Sequence, residues 1–103
     1  MAKIIRISKE EARRRLNDVP DDKRFWCHDG RIVRNLGELE RGLNDMSDET
    51  FHYHLGEGRS DFSNWARDVL GDGKLARDLA GAKSRIQAGK AVAQRISFLG
   101  SKL

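Results

Sequence analysis

Five times along this chain a residue able to cap a helix stands directly before an amphipathic or charged run: Ser8, Asn35, Ser47, Ser60 and Asp72. A helix leaves its first amides without backbone partners, and a Ser, Asn or Asp oxygen at that position accepts a hydrogen bond from one of them. Pro20, Gly56 and Gly71 stand where the corresponding runs end; proline cannot continue a helix and glycine suits the left-handed residue that closes one. The chain is therefore divided into short helices joined by tight turns.

Each run is readable by its spacing. Ser8 with Glu11 forms a capping box, and Glu10–Arg14 and Glu11–Arg15 are i,i+4 pairs in the favourable order. Leu36, Leu39, Leu43 and Met46 lie on one helical face behind Asn35, with Glu38 in the capping-box position. Ser47 opens a short helix that carries Phe51 and Leu55 inward and stops at Gly56; "GEGRS" is a turn. Phe62, Trp65, Ala66, Val69 and Leu70 fall at i, i+3, i+4, i+7 and i+8 behind Ser60. A last helix is expected from about Lys74 to Phe98, with a seam of Leu75, Leu79, Ala82, Ile86, Gly89, Ala93 and Ile96.

Strand signals are few. "KIIRIS" at the start reads as a short strand. In "RFWCHDGRIVR", Asp29-Gly30 suits a two-residue type I′ turn. That turn pairs Cys27 with Ile32, Trp26 with Val33 and Phe25 with Arg34. Phe25, Cys27 and Ile32 then share one face, and Trp26 and Val33 the other. Two strands are not stable alone, so helices must cover at least one face. The expected fold is α+β: a β-hairpin, extended to three strands if the N-terminal segment joins it, packed against several helices, with a long basic C-terminal helix. Residues 1–80 form the small domain in this reading, and 81–103 a basic helical extension.

The strings "FWCHDGRIVRNLGELERGLNDMSDETFHYHL" and "SDFSNWARDVLGDGKLARDL" resemble a family of small prokaryotic domains of unknown function, common in archaea. Asp61-Phe62, Trp65 and Asp68-Val69-Leu70-Gly71-Asp72 carry the likeness, which covers residues 24 to 80. Ala66 stands where the family pattern has isoleucine. The resemblance implies a small domain and brings no activity with it.

Charge is the clearest pointer to function. The chain of 103 residues has 20 basic and 16 acidic side chains, a net charge of +4. Residues 73–103 hold seven basic groups against Asp78 alone, so +6, while the first 72 hold 13 basic and 15 acidic, so −2. Charged residues are 35% of the chain, above the usual quarter or so. The single cysteine, Cys27, forms no internal disulfide, which suits a reducing, cytoplasmic setting. No apolar run is long enough for a membrane span, and the N-terminus turns charged too early for a secretory signal.

The conspicuous residues have ordinary explanations. His52 and His54 form an H-x-H pair that would share a face on a strand, but on a helix they point about 200° apart. They read as structural or exposed, joint replacement by Gln is expected to leave folding intact, and a metal-binding reading ranks third. Asp61, Asp68 and Asp72 near His54 could form a proton-transfer pair, yet helix caps and ion pairs account for them. Cys27 faces inward on its hairpin, and neither glycine-rich phosphate loop occurs. No enzyme activity and no cofactor are expected. Trp65 belongs to the core; Trp26 is a candidate stacking surface. The expected contact residues are Lys83, Arg85, Lys90, Arg95 and Lys102, meeting nucleic acid or ribonucleoprotein. The rival is a protein–protein adaptor or homo-oligomer that uses the Ala/Gly face of the last helix.

Overall fold

The computed structural model describes residues 6–103. In chain order the elements are α1 (Lys9–Leu16), a 3-10 turn (Asp21–Lys23), β1 (Phe25–Trp26), β2 (Ile32–Val33), α2 (Leu36–Asp45), α3 (Asp48–Tyr53), β3 (Leu55–Gly56), β4 (Arg59–Ser60), α4 (Asp61–Asp68), α5 (Gly73–Ala80) and α6 (Arg85–Gly100). The fold is α+β, with two separate antiparallel hairpins, β1-β2 and β3-β4, set among the helices. Half of the expected N-terminal strand, residues 3–5, lies outside the described ones, and residues 6–8 are not in a strand.

All five expected caps form. The side chains of Ser8, Asn35, Ser47, Ser60 and Asp72 accept from the amides of Glu11, Glu38, Thr50, Ser63 and Leu75 at 2.8–3.2 Å. The capping box of α1 does not close, because the Glu11 carboxylate turns to Arg14 and Arg15. Glu38 reaches back one residue further than expected and accepts from the Arg34 amide at 2.8 Å.

The first hairpin is shifted by one residue from the expected register. Phe25 pairs with Val33 and Trp26 with Ile32. The Gly30 amide donates to the Cys27 carbonyl and the Cys27 amide to the Arg31 carbonyl, so the loop is three residues, His28–Gly30, with Gly30 at φ +96°. Asp29 favours this longer loop by accepting from both the amide and the Nε of Arg31. A one-residue slip exchanges the faces of a strand. Val33, expected outside beside Trp26, is buried with Phe25 and Cys27, and Trp26 is left 66% exposed.

Two helices are shorter than their sequence pattern. α3 stops at Tyr53, and Leu55 enters β3, which pairs with β4 across Glu57-Gly58, where Gly58 has φ +65°. The single helix expected from Lys74 to Phe98 is two: α5 ends at Ala80, and Ser84 caps α6 by accepting from the Gln87 amide at 3.1 Å. Gln87 in turn accepts from the Lys83 amide, a complete capping box that the leucine and alanine spacing hides. The interruption resets the helical phase. Leu75, Leu79, Ala82 and Gly89 are buried as the seam requires, but Ile86 turns out to solvent, and α6 buries Ala88, Val92 and Leu99 more deeply than Ala93 and Ile96.

One core serves the whole described chain. Phe25, Phe51, Phe62 and Trp65 form its aromatic centre, with Phe62 stacked on Phe25 and Phe51 at centroid distances of 5.2 and 5.5 Å. Trp65 also donates its Nε1–H to the Lys23 carbonyl at 2.8 Å. Residues 81–103, expected as an extension, contribute Ala82, Ala88, Val92 and Leu99 to this core. α6 lies against α2 so closely that a methyl group on Gly89 would sit 3.0 Å from Asn44 Oδ1.

Asp72 ties the ends together. It is fully buried, caps α5, and its second oxygen takes Arg95 Nε of α6 at 2.8 Å and Arg15 Nη1 of α1 at 3.1 Å. Burial opposes its charge, but the hydrogen bonds from Arg95 and the Leu75 amide, with the charges of Arg95 and Arg15, outweigh it and hold the carboxyl below its usual range. Glu11, also bonded to Arg15, is lowered from 4.5 to about 2, first by its hydrogen bonds from Arg14 and Arg15.

Trp65→Ala should cost about 3–5 kcal/mol, the usual range for deleting a large buried aromatic, and a thermal melt will register it as a loss of many degrees or of the folded state. Acid should act through Asp72. Its unfolded carboxyl titrates near about 3.9 and its folded one lower, so its stabilisation is complete above the unfolded value and disappears as pH falls through the folded one. Wild-type Tm should therefore drop below about pH 4. Asp72→Asn, which leaves two arginines facing a neutral group, should melt lower at neutral pH, by about 3–5 kcal/mol, and lose less on acidification.

Candidate functional site

Two clusters compete for the role of functional site: the histidine-rich region around α3 and the charged surface of α5 and α6.

His54 is 4% exposed and lies in the aromatic core, 5.1 Å from the Phe25 ring and 5.2 Å from the Phe62 ring. The His28 backbone amide donates to its Nε2 at 3.0 Å, and its Nδ1 lies 3.0 Å from Asp61 Oδ2. An amide can only donate, so Nε2 accepts and Nδ1 carries the proton toward Asp61. The pair has the outline of a catalytic dyad, but both ring nitrogens are engaged within the fold. Its effect is to fasten the first hairpin to the start of α4. His52 is exposed and donates Nδ1–H to the Asp48 carbonyl. The ring of His28 is stacked on exposed Tyr53 at 3.7 Å. Among the described residues no three His, Cys, Asp or Glu side chains are grouped to hold a metal ion. Cys27 is buried, and burial pushes its thiol upward, keeping it protonated.

The expectation that His52 and His54 tolerate joint replacement is corrected by this geometry, since the two residues have opposite environments. His52→Gln should fall within about 0.5 kcal/mol of wild type. His54→Ala should cost at least about 2 kcal/mol, because it orphans the His28 amide and empties a core position. Denaturant titration of the two single variants checks this directly.

The basic surface is different in kind. α5 and α6 pack side by side and leave a groove with contiguous hollows of about 480, 370 and 430 Å³. Its walls carry Lys74, Arg77 and Lys90, the amides of Gln87 and Gln94, and at one end Phe98. Asp78 is the acid of the groove, paired with Lys74 at 2.6 Å. Among the described residues, Arg77 and Lys90 have no ion-pair partner.

The five expected contact residues do not act alike. Lys90 lines the groove. Lys83 is exposed and borders a neighbouring hollow that also includes Arg59. Lys102 lies over the Phe98 ring, 4.8 Å from its centroid. Arg85 is engaged in the fold: its guanidinium donates to the Leu43 and Asn44 carbonyls at the end of α2 and to Asp48. Arg95 is 12% exposed, bonded to Asp72, with its guanidinium carbon 4.9 Å from the Phe98 centroid. Both arginines are long enough to reach a carbonyl or carboxylate across a helix boundary, and composition alone cannot separate that use from a free surface charge. Sequence reasoning also missed Lys74 and Arg77, because the undivided helix hid the groove; the Ser84–Gln87 capping box was the signal available. Trp26 is exposed, as a stacking surface requires, but it lies on the outer face of the first hairpin, among residues that line none of these hollows. The Ala/Gly face of α6 is partly engaged within the chain: Gly89 is buried against α2, and Ala93 and Ile96 are half-buried. No helix among the described residues is long and apolar enough to cross a membrane.

Comparisons with known protein families, with curated proteins and with solved structures find no match.

Proposed function

We propose that this protein is a non-catalytic binding module that contacts nucleic acid, free or within a ribonucleoprotein, through the groove between α5 and α6. The observation that carries the reading is the pair Arg77 and Lys90, cations without an ion-pair partner among the described residues, on opposite walls of a concave strip that also holds Lys74. Unpaired cations lining a groove attract phosphates by counterion release, a term that needs no base-reading element. A non-catalytic role is favoured because the one His–Asp pair in the core has no free ring nitrogen and the one thiol is buried.

The adaptor or homo-oligomer reading keeps one observation of its own, the 53% exposure of Ile86 at the start of α6. The two readings respond to different changes. With phosphates at Lys74, Arg77, Lys83 and Lys90, log K against log salt should slope at about −3 to −4, from roughly 0.7–0.9 per contact. Arg77→Ala with Lys90→Ala should flatten that slope by about two such increments with the melt unchanged, while Lys9→Ala and Arg13→Ala leave it alone. If the chain fails to bind any polyanion at about 50 mM salt, and light scattering shows an oligomer that Ile86→Asp dissociates, the adaptor reading replaces this one.

A further inference from the structure

We infer that the groove takes single-stranded nucleic acid, with one base stacked on Phe98. The inference rests on the nucleic-acid reading above and adds the form of the strand and the point where a base is held.

Three observations lead to it. The first is the position of Phe98. It is 41% exposed, although it sits in the longest helix of the fold, three residues from the half-buried Arg95 and one from buried Leu99. It closes one end of the hollows whose walls hold Lys74 and Arg95. An exposed aromatic on a monomer surface needs no explanation when it stands alone; this one forms the end of a basic groove.

The second is what surrounds the ring. Arg95 and Lys102 both lie within 5 Å of its centroid, at 4.9 and 4.8 Å. Arg95 is fixed by Asp72, itself held by the α5 cap and by Arg15, so the ring is supported by a buried ion-pair network. Arg95, fixed by Asp72, backs the ring, while exposed Lys102 lies over it as a cation that a base must displace, its ammonium then free to meet the adjoining phosphate.

The third is shape. The phosphate-facing residues line the inside of a groove, not a ridge. A duplex is convex and keeps its bases stacked within it, so Phe98 could reach no base face. An extended single strand can lie along the groove with its phosphates toward Lys74, Arg77 and Lys90 and turn one base onto the ring. Any base offers a π-face, so the contact should be tolerant of sequence.

The test uses the full chain and three probes of equal length: oligothymidylate, the same sugar-phosphate backbone without bases, and oligothymidylate annealed to oligoadenylate. The backbone without bases should bind wild type roughly tenfold more weakly than oligothymidylate, with the same salt slope. In Phe98→Leu, which keeps an apolar side chain but has no ring, that difference should vanish, and Phe98→Tyr should restore it. The duplex should bind more weakly than the single strand at equal salt. If oligothymidylate and the bare backbone bind wild type alike, stacking is overturned and the groove remains a phosphate site. If the duplex binds as tightly as the single strand, the single-strand assignment is overturned. If none of the three binds, the nucleic-acid reading itself falls, and this inference with it. The comparison of probes on wild type stands even if a Phe98 variant does not fold.

Discussion

The buried carboxylate of Asp72 is the constraint on which the arrangement of helices depends. A charge in a protein interior is tolerated only when it is paired and hydrogen-bonded, and Asp72 meets that condition by drawing on three elements at once: the Leu75 amide of α5, Arg15 from α1 and Arg95 from α6. Gly71, at φ +69°, turns the chain just before it. Arg15 is also held by Glu11, so the network continues to the surface of α1. Removing any single partner leaves the remaining groups charged and under-solvated. Through this one side chain α6 and α1 are tied to the start of α5, beside the groove between α5 and α6.

The fold was legible where local chemistry decides and obscure where a partner decides. Caps are local: Ser8, Asn35, Ser47, Ser60 and Asp72 each bond an amide three residues away, and all five could be read from sequence. So could the inward faces of α2 and α4, whose spacing is helical throughout. The hairpin register could not, because Asp29-Gly30 is compatible with a two-residue turn and with the three-residue loop that Asp29 closes onto Arg31. The division of α5 from α6 was written in Ser84 and Gln87, but the run of small and apolar residues across it imitated an unbroken seam. The candidate site suffered most. Lys83 and Lys90 are exposed as expected, whereas Arg85 and Arg95 are bonded to carbonyls and carboxylates on distant segments, which sequence spacing does not reveal.

Formal charge is therefore a poor measure of the charge available to a partner. Residues 73–103 carry a net +6, yet Arg85 and Arg95 are engaged in the fold and Lys74 lies against Asp78. What remains outward is concentrated: Arg77 and Lys90 in the groove, Lys83 near one end and Lys102 near the other. The acidic first 72 residues form the body against which this concentrated positive strip stands. A field focused in a concave, partly apolar strip acts on a polyanion more strongly than the same charges spread over a convex face.

The seating of α6 against α2 has a consequence for how the chain comes to be folded. The apolar face of α2, with Leu36, Leu39 and Leu43 fully buried in the finished structure, is made before Ala88, Val92 and Leu99, which help to cover it. Until then the closed core cannot form, and Asp72 has no Arg95. Folding is thus delayed to the end of synthesis of this segment, and during that interval the exposed leucine stripe is the surface that chaperones and aggregation compete for.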